Sequence, residues 1–311
     1  MFERISRREA LAGTGTTILA GLAGCIATGR HEEETVTEEI DAANLEDLTV
    51  TGGSGSVVVR TTDRDTVDVV AHKAAATEGQ LEETDVDVDR VGDTLEIEAD
   101  HGDGGVWPFL IGPGPKVDLE LEVPETVALT DATVGSGTLD VRDVAGPAAF
   151  TAGSGTIEAE NVDGDLEADV GSGTIEVRNV DGSFTAEAGS GTITGSVIAG
   201  DVTTETGSGD HHIDGIEGTV TAGAGSGTID VAIDSLEGDS AFETGSGDVS
   251  IVLPEDADVA IDVDTGSGGV SIDGAGVESV STSSSATVTV GDGTHTLEVS
   301  TGSGDVDVTV G

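Results

Sequence analysis

Apolar and polar residues alternate along most of this chain, in short runs that are separated by glycine. Each run has the two-residue period of a β-strand with one face in an apolar interior and one face in water, as in residues 173–188. Asp-Gly or similar turn residues separate the runs. No stretch beyond residue 24 has a helical period of useful length. The pattern therefore predicts an all-β protein made of repeated strand and turn units.

These units recur at a fixed spacing. Glycines fall every nine residues from Gly137 to Gly227, and the tripeptide Gly-Ser-Gly starts every 18 residues, at Gly135, Gly153, Gly171, Gly189, Gly207 and Gly225. A fixed period of this kind is typical of repeat architectures. We therefore predict a single-chain parallel β-solenoid with 18-residue coils. Residues 135–311 form the regular Gly-Ser-Gly repeats, and residues 43–134 form irregular first coils of the same domain.

Stacking the units about 4.8 Å apart predicts the core. The inward ladders are Leu139, Ile157, Ile175, Ile193 and Ile229; Val144, Val162, Val180, Ile198 and Ile216; and Ala148, Leu166, Phe184, Val202 and Val220. An outward column contains Asp140, Glu158, Glu176 and Asp230, whose mutual repulsion falls as salt rises.

The Gly-Ser-Gly corners are expected to need glycine for a sharp turn, often at positive φ, with each serine bonding a neighbouring coil. A phosphate-binding corner is the alternative interpretation. It is less favoured because no helix follows the corner and the corner contains no basic residue.

The first 24 residues are typical of a signal peptide, with a basic start and an apolar run too short to span a bilayer. Arg7 and Arg8 lie in a segment that looks like the twin-arginine export signal. Leu22, Ala23 and Gly24 precede Cys25 as in the lipobox of prokaryotic lipoproteins. This resemblance implies that Cys25, the only cysteine, carries a lipid and begins the mature chain. We expect export in the folded state to the outer face of the cell membrane, with residues 25–42 as an acidic tether.

Charge narrows the range of partners. The chain has 62 acidic residues against 11 Lys plus Arg, a formal net charge of −51. This balance argues against nucleic acid or an anionic membrane surface as a direct partner and predicts diffuse binding of cations. Excess acid of this kind resembles that of proteins adapted to molar salt, so we expect a halophilic, haloarchaeal source. An ordinary acidic surface in low salt is the alternative.

The strand at residues 117–123, which ends in Pro124, and the following Gly-Ser-Gly-Thr units with Asp-Gly turns resemble the putative-adhesin family of β-strand-repeat domains of unknown function. The resemblance covers residues 43–311. It implies a β-helical solenoid and a role at the cell surface, and it brings no catalytic residues.

No catalytic, cofactor or metal site is predicted. Calcium-binding nonapeptide repeats also have glycine every nine residues, but the apolar residue here follows glycine two places later instead of four, as in Gly164-Asp165-Leu166. His211 and His212 are adjacent on a strand, so their side chains should point to opposite faces. Trp107 lies in a dense apolar loop whose role is either capping of the solenoid edge or contact with a partner or membrane.

The leading functional hypothesis is a lipid-anchored adhesion or interaction scaffold that acts in high salt, without catalysis, and binds a cell-surface protein or glycan. A structural envelope element that polymerises through its terminal coils is the second hypothesis. A glycan-active β-helix enzyme is the third, disfavoured because basic and aromatic residues around a sugar site are missing.

Overall fold

The computed structural model describes residues 17–19, 29–100 and 113–311. These residues form 24 strands and one short helix, so the all-β prediction is confirmed. The chain divides into two compact units, Met1–Val144 and Ala145–Gly311.

The first unit contains nine described strands and the helix. Their bounds are β1 (Thr17–Leu19), β2 (Glu32–Asp41), β3 (Asp47–Ser54), β4 (Val57–Thr62), β5 (Thr66–Ala75), α1 (Glu78–Glu83), β6 (Asp85–Val91), β7 (Thr94–Asp100), β8 (Lys116–Pro124) and β9 (Ala128–Ala145). The helix is six residues long and is capped by Thr77, whose hydroxyl accepts a hydrogen bond from the N–H of Gln80. Its shortness explains why no helical period marks it in the sequence.

The first unit is built around a pair of strands from the start of the domain. β9 pairs in parallel with one edge of both β3 and β4. On their other edges, β3 pairs in parallel with β7, and β4 pairs in parallel with β8. Antiparallel strands continue the pairing: β6 joins β7, β5 joins β8, β2 joins β5 and β1 joins β2. Residues 43–134 therefore do not stack in chain order as simple coils.

Part of the predicted tether is a strand in the structure. Residues 32–41, within the segment 25–42 that charge alone assigned to a tether, form β2 and pair with β5 along ten residues. Val36 and Ile40 are half-buried in this pairing. The local alternation of these apolar residues with Thr and Glu is compatible with a strand, and the partner strand supplies the main-chain hydrogen bonds that stabilise it.

The second unit consists of strands only. Their bounds are β10 (Ala148–Asp163), β11 (Leu166–Val180), β12 (Phe184–Ile198), β13 (Val202–Ser208), β14 (His211–Gly218), β15 (Val220–Ala224), β16 (Ile229–Leu236), β17 (Ser240–Thr244), β18 (Val249–Leu253), β19 (Val259–Thr265), β20 (Val270–Gly274), β21 (Val280–Thr282), β22 (Ser285–Val290), β23 (His295–Thr301) and β24 (Val306–Val310).

Parallel neighbours in the first part of this unit are offset by 18 residues. Ile157 pairs with Ile175, which pairs with Ile193, and the same offset continues from β12 to β14 and from β13 to β15. We call each repeat that contains one Gly-Ser-Gly corner a rung. The three predicted apolar ladders are buried throughout this region, where His211 takes the place between Ile193 and Ile229. The sequence period therefore predicted this register correctly.

Chain order and spatial order separate at the C-terminal end of the unit. The rung at residues 240–253 pairs with the last rung, 295–310, through β17 with β23 and β18 with β24. The last rung in turn pairs with the earlier rung 259–274. Antiparallel strands β22 and β21 then pair with β19 and β20. The pairing is therefore mixed, whereas the sequence predicted parallel coils throughout, because only the parallel coils have a repeated motif in the sequence.

Glycine is required at the corners by contact between rungs. Gly173 has φ 143°, and a Cβ built on it would lie 1.8 Å from the carbonyl oxygen of Gly155 on the preceding rung. The serine of a corner bonds the neighbouring rung through its main chain. The N–H of Gly227 donates to the carbonyl oxygen of Ser246 on the next rung at 2.9 Å. The corner thus packs backbone on backbone, which leaves no volume for a side chain at this glycine.

Aspartates at the opposite turns join successive rungs. Oδ1 of Asp201 accepts from the N–H and the hydroxyl of Thr219, 18 residues later, at 2.9 and 2.7 Å. These two hydrogen bonds lower the pKa of Asp201. Asp165, at the same kind of turn, accepts from the N–H of Ser183, and Asp210, directly after a Gly-Ser-Gly corner, accepts from the N–H of Thr228. Part of the acidic excess is therefore structural.

Candidate interaction surface

A column of carboxylates runs along the outer face of the second unit, two residues before several of the corners. Asp169 pairs with Glu187, and Glu187 pairs with Glu205, so three acidic side chains lie on successive rungs. Gly223 occupies the next rung and Glu243 the one after it. With rungs about 4.8 Å apart, the column has three closely spaced negative charges, a gap, and a fourth charge.

This column borders an open groove of about 770 Å³. Its opposite boundary is the first glycine of each corner, and the strand residue between the carboxylate and the glycine lies at its floor. The lining residues are Asp169, Val170, Gly171, Glu187, Ala188, Gly189, Glu205, Thr206, Gly207, Gly223, Ala224, Gly225, Glu243 and Gly245. No basic side chain is among them. We call this feature the acidic groove.

The repeat itself produces the groove. A Cβ on Gly189 would lie 2.5 Å from the carbonyl oxygen of Gly171, and the same holds for Gly225 against Gly207. Glycine is therefore the residue that fits at each corner, and the groove exposes main chain on that side. Since strand neighbours point to opposite faces, the residue two places before the corner glycine points outward with its carboxylate. The result is a continuous surface of backbone bordered by negative charge.

The groove can hold a cationic group or several hydrated cations, because its charged groups are all carboxylates. Across the described residues, however, no three His, Cys, Asp or Glu side chains are grouped as ligands of one metal ion. Each carboxylate of the column lies on its own rung instead. The arrangement therefore favours an extended ligand that contacts several rungs over a single coordinated ion.

A second groove, of about 430 Å³, follows a column of left-handed residues. Asn161, Asn179, Val197 and Gly215 have φ of 59°, 57°, 57° and 67° on successive rungs. Nδ2 of Asn179 donates to Oδ1 of Asn161 at 2.8 Å. Asparagine and glycine tolerate this conformation, whereas the β-branched Val197 does not, and its side chain is 58% exposed. This column of left-handed residues was not predicted from the sequence.

The two adjacent histidines point to opposite faces, as predicted. His211 is 1% exposed, and its Nε2 donates to the carbonyl oxygen of Gly223 at 3.1 Å, while its Nδ1 has no hydrogen-bond partner. Burial lowers the pKa of His211, although this hydrogen bond and the nearby Asp210 oppose the shift. His212 is exposed and lies 3.2 Å from Oδ2 of Asp230. The pair is thus one core residue and one surface residue.

The residues predicted to serve export and lipid attachment lie outside the described part of the chain. These are Arg7, Arg8, Leu22, Ala23, Gly24 and Cys25, and Trp107 also lies outside it. In the described segments no helix has the length and apolar character needed to cross a membrane.

Sequence reasoning singled out a different outward column. Glu158 and Glu176 do pair on neighbouring rungs, as predicted, but they do not line either groove. The signal for the acidic groove was present, because Asp169, Glu187 and Glu205 each stand two residues before a Gly-Ser-Gly. Its meaning depends on the shape of the corner, which spacing alone does not provide.

Comparison with solved structures finds bacterial proteins that resemble this chain. A structure titled "putative lipid binding protein" from Parabacteroides distasonis is 10% identical, with a TM-score of 0.51 over 89% of this chain and 96% of that chain. A "putative cell adhesion protein" from Clostridium sporogenes is 12% identical, with a TM-score of 0.26 over 90% and 100%. A "putative adhesin" from Bacteroides fragilis is 10% identical, with a TM-score of 0.38 over 88% and 96%.

No curated protein matches the sequence. The family model described as Toastrack DUF4097 matches residues 45–309, which include the Gly-Ser-Gly repeats and the acidic groove. Since this match covers most of the chain, the protein belongs to the Toastrack DUF4097 family.

Proposed function

We propose that this chain is a cell-surface interaction module, anchored through lipid on Cys25, which binds a surface protein or glycan in high salt without catalysis. The observation that carries the proposal is the acidic groove, in which carboxylates on successive rungs border exposed main chain. A cationic segment of a surface protein can contact the carboxylates directly. A glycan can contact them through shared cations.

The proposal includes the fold of the repeat region as a parallel β-solenoid with 18-residue coils. The 18-residue offsets between neighbours support it. So does the hydrogen bond from His211 to Gly223, because it joins the second strand of one rung to the first strand of the next through a buried side chain. A solenoid of this kind presents the same outward positions at every turn and so makes an extended binding surface.

The names of neighbouring structures are consistent with a surface role. One neighbour is named an adhesin and another a lipid binding protein, each provisionally. For this chain the proposal rests on the groove and on the predicted export signal. A protein or glycan is the proposed ligand in preference to a lipid, because the groove is bordered by carboxylates.

The test is chemical crosslinking on intact cells in their growth salt, followed by purification of the anchored protein and identification of its partners. The groove variant is the double substitution Glu187→Gln with Glu205→Gln. The matched control is Glu158→Gln with Glu176→Gln, which removes the same charge from neighbouring rungs of the other outward column.

We expect one reproducible partner with the wild type and with the control, and its loss with the groove variant. Equal capture by the groove variant would contradict a role for the groove. Recovery of self-crosslinks alone would favour the structural envelope element over the interaction scaffold.

A further inference from the structure

The C-terminal edge of the second unit has a strand with one unpaired side. β22 pairs in antiparallel fashion with β19, and no strand among the described residues pairs with its other edge. The N–H of Thr265 donates to the carbonyl oxygen of Ser284 at 2.7 Å, which shows that residue 284 directs its main chain toward β19. Main-chain direction alternates along a strand. Ser285, Thr287 and Thr289 therefore direct their N–H and C=O groups toward the unpaired edge.

The apolar side chains of this strand are incompletely covered. In β19, Ile261 and Val263 are fully buried. Their partners on β22 are Val288 and Ala286, and both are only half-buried. The apolar ladder of the interior therefore continues into β22, where its side chains are partly exposed to solvent. A further strand along this edge would extend the main-chain ladder and cover these side chains together.

The edge also lacks the usual protection. Charged residues, proline and bulges normally prevent edge strands from pairing with other chains. Residues 279–291 contain no charged residue and no proline, in a chain of net charge −51. In the first unit, by contrast, the outermost strand beside β7 is β6, with Asp85, Asp87 and Asp89 along it. The neutral edge is thus an exception to the charge pattern of the chain.

We propose that a second copy of this chain pairs with β22 in antiparallel fashion, centred on Thr287, to form a two-fold symmetric dimer. In an antiparallel pair of two copies, the neutral edge of one copy contacts the neutral edge of the other. Two copies of charge −51 repel one another, so a contact between them must lie where like charges are absent. The inference does not depend on the acidic groove or on the proposed function.

The test is sedimentation velocity of the full-length chain in molar KCl over a range of concentrations. The chain carries Cys25→Ser, so that neither a lipid nor a disulfide contributes to association. One strand pair is a small interface, so we expect a weak dimer, with a dissociation constant on the order of micromolar or higher.

The decisive variant is Thr287→Pro. Proline removes one outward N–H that the chain's own ladder does not use, and its ring obstructs a second strand. Thr287→Val is the matched control, because it also loses the 3.4 Å contact of the Thr287 hydroxyl with Asp262 but keeps the N–H. We expect at least about tenfold weaker dimerisation with proline and little change with valine. Thr289→Pro is a second variant of the same kind, and the thermal unfolding midpoint reports whether each variant is folded.

A wild-type chain that remains monomeric at the highest concentrations would overturn the proposal. So would a dimer that folded Thr287→Pro and Thr289→Pro leave intact, since the contact would then lie elsewhere. A monomer that binds a synthetic peptide of residues 280–291 would assign the edge to strand addition by another chain, and it would also overturn self-pairing. Partner capture on cells by groove variants is a separate readout, so failure of one proposal does not imply failure of the other.

Discussion

Nζ of Lys73 on β5 lies 2.7 Å from Oε2 of Glu34 on β2 and donates to the carbonyl oxygen of Thr84 at 2.9 Å. The Lys73 side chain is 1% exposed, whereas the Glu34 side chain is 28% exposed. The ion pair therefore connects the acidic strand β2 to the body of the first unit. A buried ammonium group without its partner is costly, so the pair constrains where β2 lies.

Removal of this ammonium group should release β2. We expect Lys73→Ala to lower the free energy of unfolding by about 3 kcal/mol, because it leaves a cavity and an unpaired carboxylate. Lys116→Ala is the control, since Lys116 is 39% exposed where it pairs with Asp118, so the pair should contribute less than about 1 kcal/mol. Hydrogen exchange should show loss of protection in residues 32–41 for Lys73→Ala only. Retained protection there would show that β2 is held by its main-chain ladder alone.

The corner glycines should tolerate no side chain. We expect Gly173→Ala to lower the free energy of unfolding by more than about 3 kcal/mol, because the methyl group would meet the Gly155 carbonyl oxygen and φ is unfavourable for alanine. Ser172→Ala, on the adjacent exposed residue, should change it by less than about 0.5 kcal/mol. Chemical denaturation measures both. Similar values for the two variants would mean that the corner can shift to accept a side chain.

Val197 offers a stabilising substitution. Val197→Asn places a residue that tolerates the left-handed conformation next to Asn179, and we expect a gain of about 1 kcal/mol. Val252→Asn is the control, because Val252 is also an exposed valine but lies in an ordinary strand, where asparagine is disfavoured. Thermal unfolding should separate the two variants in opposite directions. A loss of stability with Val197→Asn would contradict the assignment of strain to residue 197.

His211 should make stability depend on pH. Burial lowers the pKa of His211 in the folded state below its ordinary value of 6.5, so the unfolded chain takes up the proton first as pH falls. Stability should therefore fall as pH decreases below 6.5, until the folded-state pKa is reached. Replacement by the residue of the flanking rungs, His211→Ile, should reduce this slope. His212→Thr, on the outer face, is the control. Denaturation of the wild type and of both variants is measured at fixed salt between about pH 7.5 and 5, the range in which an ordinary histidine titrates.

Salt should stabilise the second unit. Stacked carboxylates such as Glu187 and Glu205 repel one another, and screening shortens the range of that repulsion to about 3 Å in molar salt. We expect a lower thermal midpoint in millimolar than in molar KCl, with a smaller difference for Glu187→Gln. An unchanged midpoint for the wild type would contradict the inference of salt adaptation from charge.

The sequence by itself determined the all-β class, the 18-residue register from β10 to β15 and the apolar ladders, because these follow from local alternation repeated at a fixed spacing. It also separated His211 from His212, since strand neighbours face opposite sides. The acidic residues before several corners were visible in the sequence, but the groove they border was not.

Only the tertiary structure decided how the repeats end. The last rung lies between residues 240–253 and 259–274, and β22 closes the pairing with an unprotected edge. Residues 32–41 form a strand because they pair with β5 and because Lys73 forms an ion pair with Glu34. Such choices depend on pairing between segments distant in the chain, whose energies come from shared hydrogen bonds and buried contacts. A local pattern shows that a segment can be a strand, and the rest of the fold selects its neighbour.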